Sequence, residues 1–209
     1  MIKQYKIITM ILIALFISGC SYKMGFNNNY ISNDLVNRQD KNLKYIIKIY
    51  NSSLEIQTID KIQVSTLKGV GTSIKLPLNG IAHNITFKYY EQYFQKVINA
   101  KILGNMVKNE IQIYPLVKNF KFGFLNTNVG FSVTPFVKYD FMIKLKDDKG
   151  IEFYSKKLNS GMIYGETYSM KGMDSITKDI NRAYHKSLLT LLKIIEPEVL
   201  YAIKNHYKH

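Results

Sequence analysis

The chain of 209 residues predicts an α+β fold: a single antiparallel sheet with two main helices packed on one of its faces. Three observations predict it. Val137 to Lys146 alternates, with odd positions apolar and even positions polar except Met142, as in a strand with one buried and one wet face. Two stretches, from about Ile81 to Ile98 and from Asp174 onward, change to a helical period. No internal repeat and no interdomain linker breaks the order strands, helix, strands, helix.

The domain opens at Leu43–Tyr50, an Ile- and Tyr-rich strand, followed by turn chemistry at Asn51-Ser52-Ser53. Leu54 to Ile59 alternates as a second strand, and Gly69-Val70-Gly71 reads as a bend. A short strand from Ile74 to Leu78 is expected to end at Asn79-Gly80. Tyr90, Tyr93, Phe94, Val97 and Ile98 then fall on one helical stripe over about 81–98, with Asn79 or Asn84 as its cap. So bulky a stripe packs on a sheet or stacks on a ligand. Strands return from Glu110, where Ile111 and Ile113 alternate, Pro115 marks an edge or bulge, and Phe120, Phe122 and Phe124 alternate again. Asp147-Asp148-Lys149-Gly150 is a hairpin turn that sends Ile151–Leu158 back antiparallel. A glycine-bearing loop follows, with a short strand at Met162–Tyr164. Asp174 then caps a helix that buries Ile176, Ile180, Ala183, Tyr184, Ser187, Leu188, Leu191, Leu192 and Ile195. Glu196-Pro197 predicts a kink or restart, with a short further helix over Val199–Lys204.

The amino terminus carries a different signal. Lys3 and Lys6 form a basic head, Ile7 to Ile17 is apolar apart from Thr9, and the chain's one cysteine, Cys20, follows two small residues. An apolar stretch of about 7–15 residues behind a positive head is a secretion signal, too short to span the ~30 Å of a bilayer. Ile17-Ser18-Gly19-Cys20 resembles the lipobox of bacterial lipoproteins. That resemblance implies cleavage before Cys20, a diacylglyceryl group on its sulfur and acylation of the new amino terminus. The alternative is an uncleaved signal anchor with an incidental cysteine. Three regions follow: a signal peptide over 1–19, a lipidated cysteine and flexible tether over 20–42, and a periplasmic α+β domain over 43–209. The tether is read from its polar, asparagine-rich composition, extending at most about 3.3–3.6 Å per residue. Ser21, where enterobacterial sorting would use Asp to retain a protein at the inner membrane, resembles outer-membrane cargo.

Removal of the leader takes Lys3 and Lys6 from the 29 basic residues, leaving 27 against 15 acidic, a net +12. Such a charge favours anionic partners such as lipid headgroups or lipopolysaccharide phosphates. AT-rich codon usage, which enriches Lys, Asn, Ile, Tyr and Phe, is the competing cause. Nucleic acid fits poorly with an exported, lipid-tethered chain. Lys138, Lys144 and Lys146 share the wet face of the best strand, Lys156 and Lys157 come from its hairpin partner, and Lys118 and Lys121 lie on the preceding strand. Together they predict a basic band. It is either an anionic-partner face or a solvated surface whose lysines discourage edge aggregation.

With Cys20 lipidated, no thiol remains for a disulfide, a metal site or a nucleophile. His83 and His185 are the bases around which a hydrolase would have to be built, and His185 reads as a rim residue of the last helix. His206 and His209 have metal-compatible spacing on a terminal tail but make no specific site. No nucleophile elbow, phosphate loop or zinc-protease helix is present, and no cofactor or metal is expected. Asp147 and Asp148 serve as turn formers. In element order and size the chain is similar to small envelope lipoproteins of the LptE and YajG type, with no motif residues to carry across. That resemblance implies a non-enzymatic outer-membrane lipoprotein facing the periplasm, binding a protein or lipid partner in envelope assembly or transport. The alternative is a surface-exposed adhesin or ligand-binding lipoprotein.

Overall fold

The computed structural model describes residues 21–35, 43–50, 57–60, 73–100, 108, 110–126, 132–169 and 173–207. In chain order it contains β1 (Ser21–Lys23), two short 3-10 turns (Asn28–Tyr30 and Ser32–Asp34), β2 (Leu43–Tyr50), β3 (Gln57–Asp60), β4 (Ser73–Leu76) and α1 (Leu78–Tyr90). Next come β5 (Phe94–Ala100), β6 (Glu110–Asn126), β7 (Ser132–Lys146), β8 (Glu152–Asn159), β9 (Ile163–Tyr164), β10 (Tyr168–Ser169) and α2 (Met173–His206).

The class is α+β, as expected, but the single antiparallel sheet is not what forms. The main sheet has seven strands, with β6 and β7 as its spine, and it is mixed. β2 lies parallel to both β5 and β6, while β6, β7 and β8 are antiparallel in succession. A second, three-stranded sheet has the order β1–β4–β3, with β1 parallel to β4. The physical reason lies in the crossovers. β4 and α1 intervene between β2 and β5, and a helix in a connection returns the chain in the same direction, as a hairpin cannot.

β6 explains its own irregular pattern. Ile111, Ile113 and Val117 are buried, and then the buried positions switch to Phe120, Phe122 and Phe124. Between Lys118 and Lys121 the register with β7 slips by one residue, and Asn119 takes a φ of 54°. One extra residue in a bulge reverses which parity faces inward. Pro115 sits just beyond Ile113, the last β6 residue paired with β2, so its missing N–H falls where the strand is locally an edge. At the start of β6 the fully buried Glu110 carboxylate pairs with Lys48 at 2.7 Å, compensating a charge removed from water. The Asp147 turn forms as expected: Oδ1 accepts the N–H groups of Lys149 and Ile151 at 3.0 and 2.8 Å, and Gly150 takes a φ of 78°.

Both helices cover the face to which the odd residues of β7 point. Tyr139 hydrogen bonds Ser187 of α2 at 2.7 Å, and Ile143 and Leu145 share the core with Leu188, Leu192 and Ile195. The expected helix over 81–98 is displaced. α1 ends at Tyr90, and Phe94, Val97 and Ile98 belong to β5, whose pairing with β2 outweighs the helical spacing. Asn79 neither caps α1 nor forms a turn. It is buried in the first helical turn, where Oδ1 accepts the Val117 N–H of β6 at 2.8 Å, on a stretch of β6 that has outrun β2. α2 is continuous over Met173–His206, so the restart at Pro197 does not occur, and Asp174 stands in its first turn rather than before it. Pro197 is exposed, so the helical bond it forfeits opens toward solvent, while Val199 and Ile203 continue the buried stripe.

The flexible tether also needs correction. Residues 21–35 are folded onto the domain, with Ile31 fully buried. Apolar burial of Ile31, Met24 and Phe26 offsets the ordering cost that the polar composition implied. The Gly69–Gly71 bend, the Asn51–Ser53 turn, and residues 1–20 with Cys20, 36–42 and His209 lie outside the described residues.

Candidate partner-binding site

Alternation and register decide where the lysines of the predicted band stand. Residues directly opposite across a ladder point to the same side. Lys157 pairs with Met142 and joins the helix-free face of β7 with Lys138, Lys144 and Lys146. Lys156 pairs with Ile143, and so points to the helix side. The band is therefore split by the pleat: Lys156 and Lys157 lie on opposite faces.

Much of its charge is internally paired. Lys144 meets Glu152 at 2.8 Å, Lys157 meets Asp140 at 3.0 Å, and Lys156 meets Glu198 of α2 at 3.1 Å. Lys146 lies 5.4 Å from the Tyr114 ring centroid. Asp140 also accepts from Asn119 and Asn159, both at 2.7 Å. The Asn119 bond first, then those of Lys157 and Asn159, hold its carboxyl down to about 2. What remains is Lys118, Lys121 and Lys138, all exposed, with Lys121 directly opposite Lys138. Among the described residues none of the three forms an ion pair.

The histidines are engaged elsewhere. His83 Nε2 lies 3.0 Å from the Ile49 carbonyl, and burial lowers its pKa. His185 is fully buried, a correction to its expected rim position, and both ring nitrogens meet backbone groups, Asn27 N–H and Asn181 C=O. His206 stacks on Phe153 with centroids 4.2 Å apart, its Nε2 3.4 Å from Asp147. Among the described residues no group of three or more His, Cys, Asp or Glu is placed to hold a metal ion.

Sequence reasoning missed an open groove between β8 and α2. Tyr154 of β8 and Pro197, Glu198, Tyr201 and Ala202 of α2 line its volume of about 490 Å³. The helix period that buries Ile195, Val199 and Ile203 turns Ile194 and Tyr201, two turns apart, outward, and they are 60% and 70% exposed. Tyr154 donates to Glu198 at 3.2 Å, and burial, aided by that carboxylate, pushes its hydroxyl up to about 12. Tyr89 and Tyr93 donate to the carboxylate of Glu196, one residue before Pro197, and tie the end of α1 to this part of α2. Such a surface offers aromatic faces and a paired carboxylate, which suit binding. The one sequence signal for it was the pair of apolar positions, 194 and 201, left off the buried stripe.

No family model matches the chain, and no curated protein matches it. Among solved structures it is similar to protein XCC0632 from Xanthomonas campestris, assigned to family model DUF330. The TM-score is 0.57 at 9% identity, over 91% of this chain and 99% of that one. A looser similarity, TM-score 0.47 at 11% identity over 81% of this chain and 96% of the other, is to a neuraminyllactose-binding hemagglutinin homolog from Helicobacter pylori. Neither is named as an LptE- or YajG-type protein. At such identities the first likeness speaks for the fold alone and the second carries no argument, so the chain shares its α+β fold with the Xanthomonas protein.

Proposed function

We propose that this protein is a non-enzymatic lipoprotein of the bacterial outer membrane, anchored through Cys20 and facing the periplasm, that holds a partner protein of the envelope in the groove between α2 and β8. The groove carries the reading. Tyr201 lines this open groove with Tyr154, Pro197 and Ala202, and Ile194, one helical turn before Glu198 on α2, is exposed as well. Aromatic side chains in a pocket, rimmed by polar groups such as the Lys156–Glu198 pair, are what protein interfaces use as anchors. The lysines of β8 discourage strand addition at that edge, which favours a partner that fills the groove with side chains. The test is a photo-crosslinking residue at position 201, compared with one at exposed Lys178, in intact cells. A discrete adduct at 201 that Ile194→Asp abolishes supports the reading, and equal yields at both positions refute it. Digestion of the domain by protease added to intact cells would instead favour the surface-exposed alternative.

A second reading is favoured by the opposed Lys121 and Lys138. Like charges facing each other across a ladder destabilise it unless an anion is shared between them. On this reading the helix-free face binds anionic lipid or lipopolysaccharide. Retention on lipopolysaccharide across a salt series would then fall on Lys121→Glu with Lys138→Glu. Unchanged retention rejects it.

A further inference from the structure

The reading of Cys20 as the lipid attachment point, on which this inference rests, meets one fact of the fold: a paired strand begins at the next residue. In β1 Ser21 stands opposite Ser73, Tyr22 opposite Ile74 and Lys23 opposite Lys75, and the Met24 N–H donates to the Lys75 carbonyl at 2.8 Å. Consecutive Cα atoms are about 3.8 Å apart. The acylated residue therefore joins the domain at the rim of the small sheet, with no length of chain between them.

The rest of this segment is clasped to α2. Asn181 donates to the Gly25 carbonyl at 2.9 Å, and His185 accepts the Asn27 N–H at 3.0 Å. Phe26 stacks on His185 at 5.7 Å and Tyr30 meets it edge-on at 5.3 Å. The Arg182 guanidinium lies 5.5 Å from the Tyr30 ring centroid. Such burial and bonding oppose detachment of residues 21–35 as a leash.

The outer surface of the small sheet is suited to what lies beside the anchor. Ile74 and Leu76 are fully buried, so the pleat turns Lys75, and Lys23 opposite it, outward. Among the described residues neither lysine forms an ion pair. Two opposed cations next to a membrane anchor are complementary to anionic headgroups. Each lysine brought to such a surface strengthens association about five-fold, so the pair contributes about 25-fold.

We propose that the outer face of the small sheet, through Lys23 and Lys75, docks on anionic lipid headgroups, seating the domain flush on the membrane in one orientation. The test uses the full chain, matured in its host and reconstituted in phosphatidylcholine vesicles with or without phosphatidylglycerol. Ser73→Cys carries a fluorophore, and the lipids carry a headgroup quencher. Seating predicts strong quenching at position 73 in phosphatidylglycerol vesicles. It also predicts that Lys23→Gln with Lys75→Gln lowers this quenching at least two-fold, but changes nothing in phosphatidylcholine alone. Lys23→Glu with Lys75→Glu serves as a second pair and moves in the same direction. Weak quenching, or quenching indifferent to both pairs, in protein whose intact mass includes lipid on Cys20 overturns the seating and leaves the anchor standing. An intact mass without that lipid overturns both.

Discussion

The His185 imidazole accepts the backbone N–H of Asn27 at 3.0 Å, joining α2 to a residue 158 positions earlier. Its other nitrogen lies 2.8 Å from the Asn181 carbonyl, so Nδ1 carries the proton and Nε2 must stay bare. Protonation would set an N–H against the Asn27 N–H inside an apolar, aromatic enclosure.

A pH dependence follows from that enclosure. Burial holds the His185 pKa down to about 4, and burial lowers His83 in the same direction. The unfolded chain takes up the proton near pH 6.5, so the stabilisation is fully present above that pH and is lost as pH falls toward 4. For His185 it amounts to about 3 kcal/mol. Urea midpoints should fall steadily between pH 6.5 and 4. His185→Leu should be less stable at pH 7 and show a shallower pH slope; an unchanged slope would exclude His185 as a source.

Asn119 sits in the left-handed region at φ 54° and donates to Asp140 at 2.7 Å. A β-branched residue tolerates that conformation poorly, so Asn119→Val should destabilise by about 1–3 kcal/mol. Asn119→Gly keeps the backbone and loses only the side-chain bond, and should cost less. Thermal melts of the two variants give the order.

Gly165 leaves room for Asp179, which is buried and accepts the Glu166 N–H at 2.6 Å. A methyl group at 165 would stand 1.8 Å from Asp179 Oδ2 and 3.0 Å from the Pro135 ring. Gly165→Ala should therefore cost about 1–3 kcal/mol by overpacking. Because Asp179→Ala removes the obstructing carboxylate, the double variant should be more stable than the two single effects sum to. Strict additivity in denaturant melts would mean that the clash is relieved elsewhere.

Pro197 lies inside α2, on its solvent side and in the wall of the groove. Replacing a helix-interior proline by alanine restores a hydrogen bond, so Pro197→Ala should raise stability by about 1–3 kcal/mol. If the groove binds a partner, the same change should lower crosslinking from position 201. A rise in Tm together with undiminished crosslinking would mean that the proline does not shape the site.

Elements whose period agreed with their environment were legible from the chain. β2, β7, the Asp147 turn and the buried stripe of α2 fall where alternation, turn residues and helical spacing put them. β5 was not, because Phe94, Val97 and Ile98 satisfy a helical spacing as well as a strand, and pairing with β2 made the choice. Nor was the role of His185, since nothing near position 185 tells that Asn27 will arrive beside it.

By itself the sequence determined the class, the long strand with its turn, the face of the last helix, and the expectation of a lipid anchor. Tertiary structure alone decided the parallel placement of β2, the clasp of residues 21–35, which lysines face which way, and the groove beside Tyr201. Local periodicity reports how a segment divides its own faces between core and water. It carries no information on which distant segment covers the core face, and that partnership is settled only when the whole chain competes for the same buried surface.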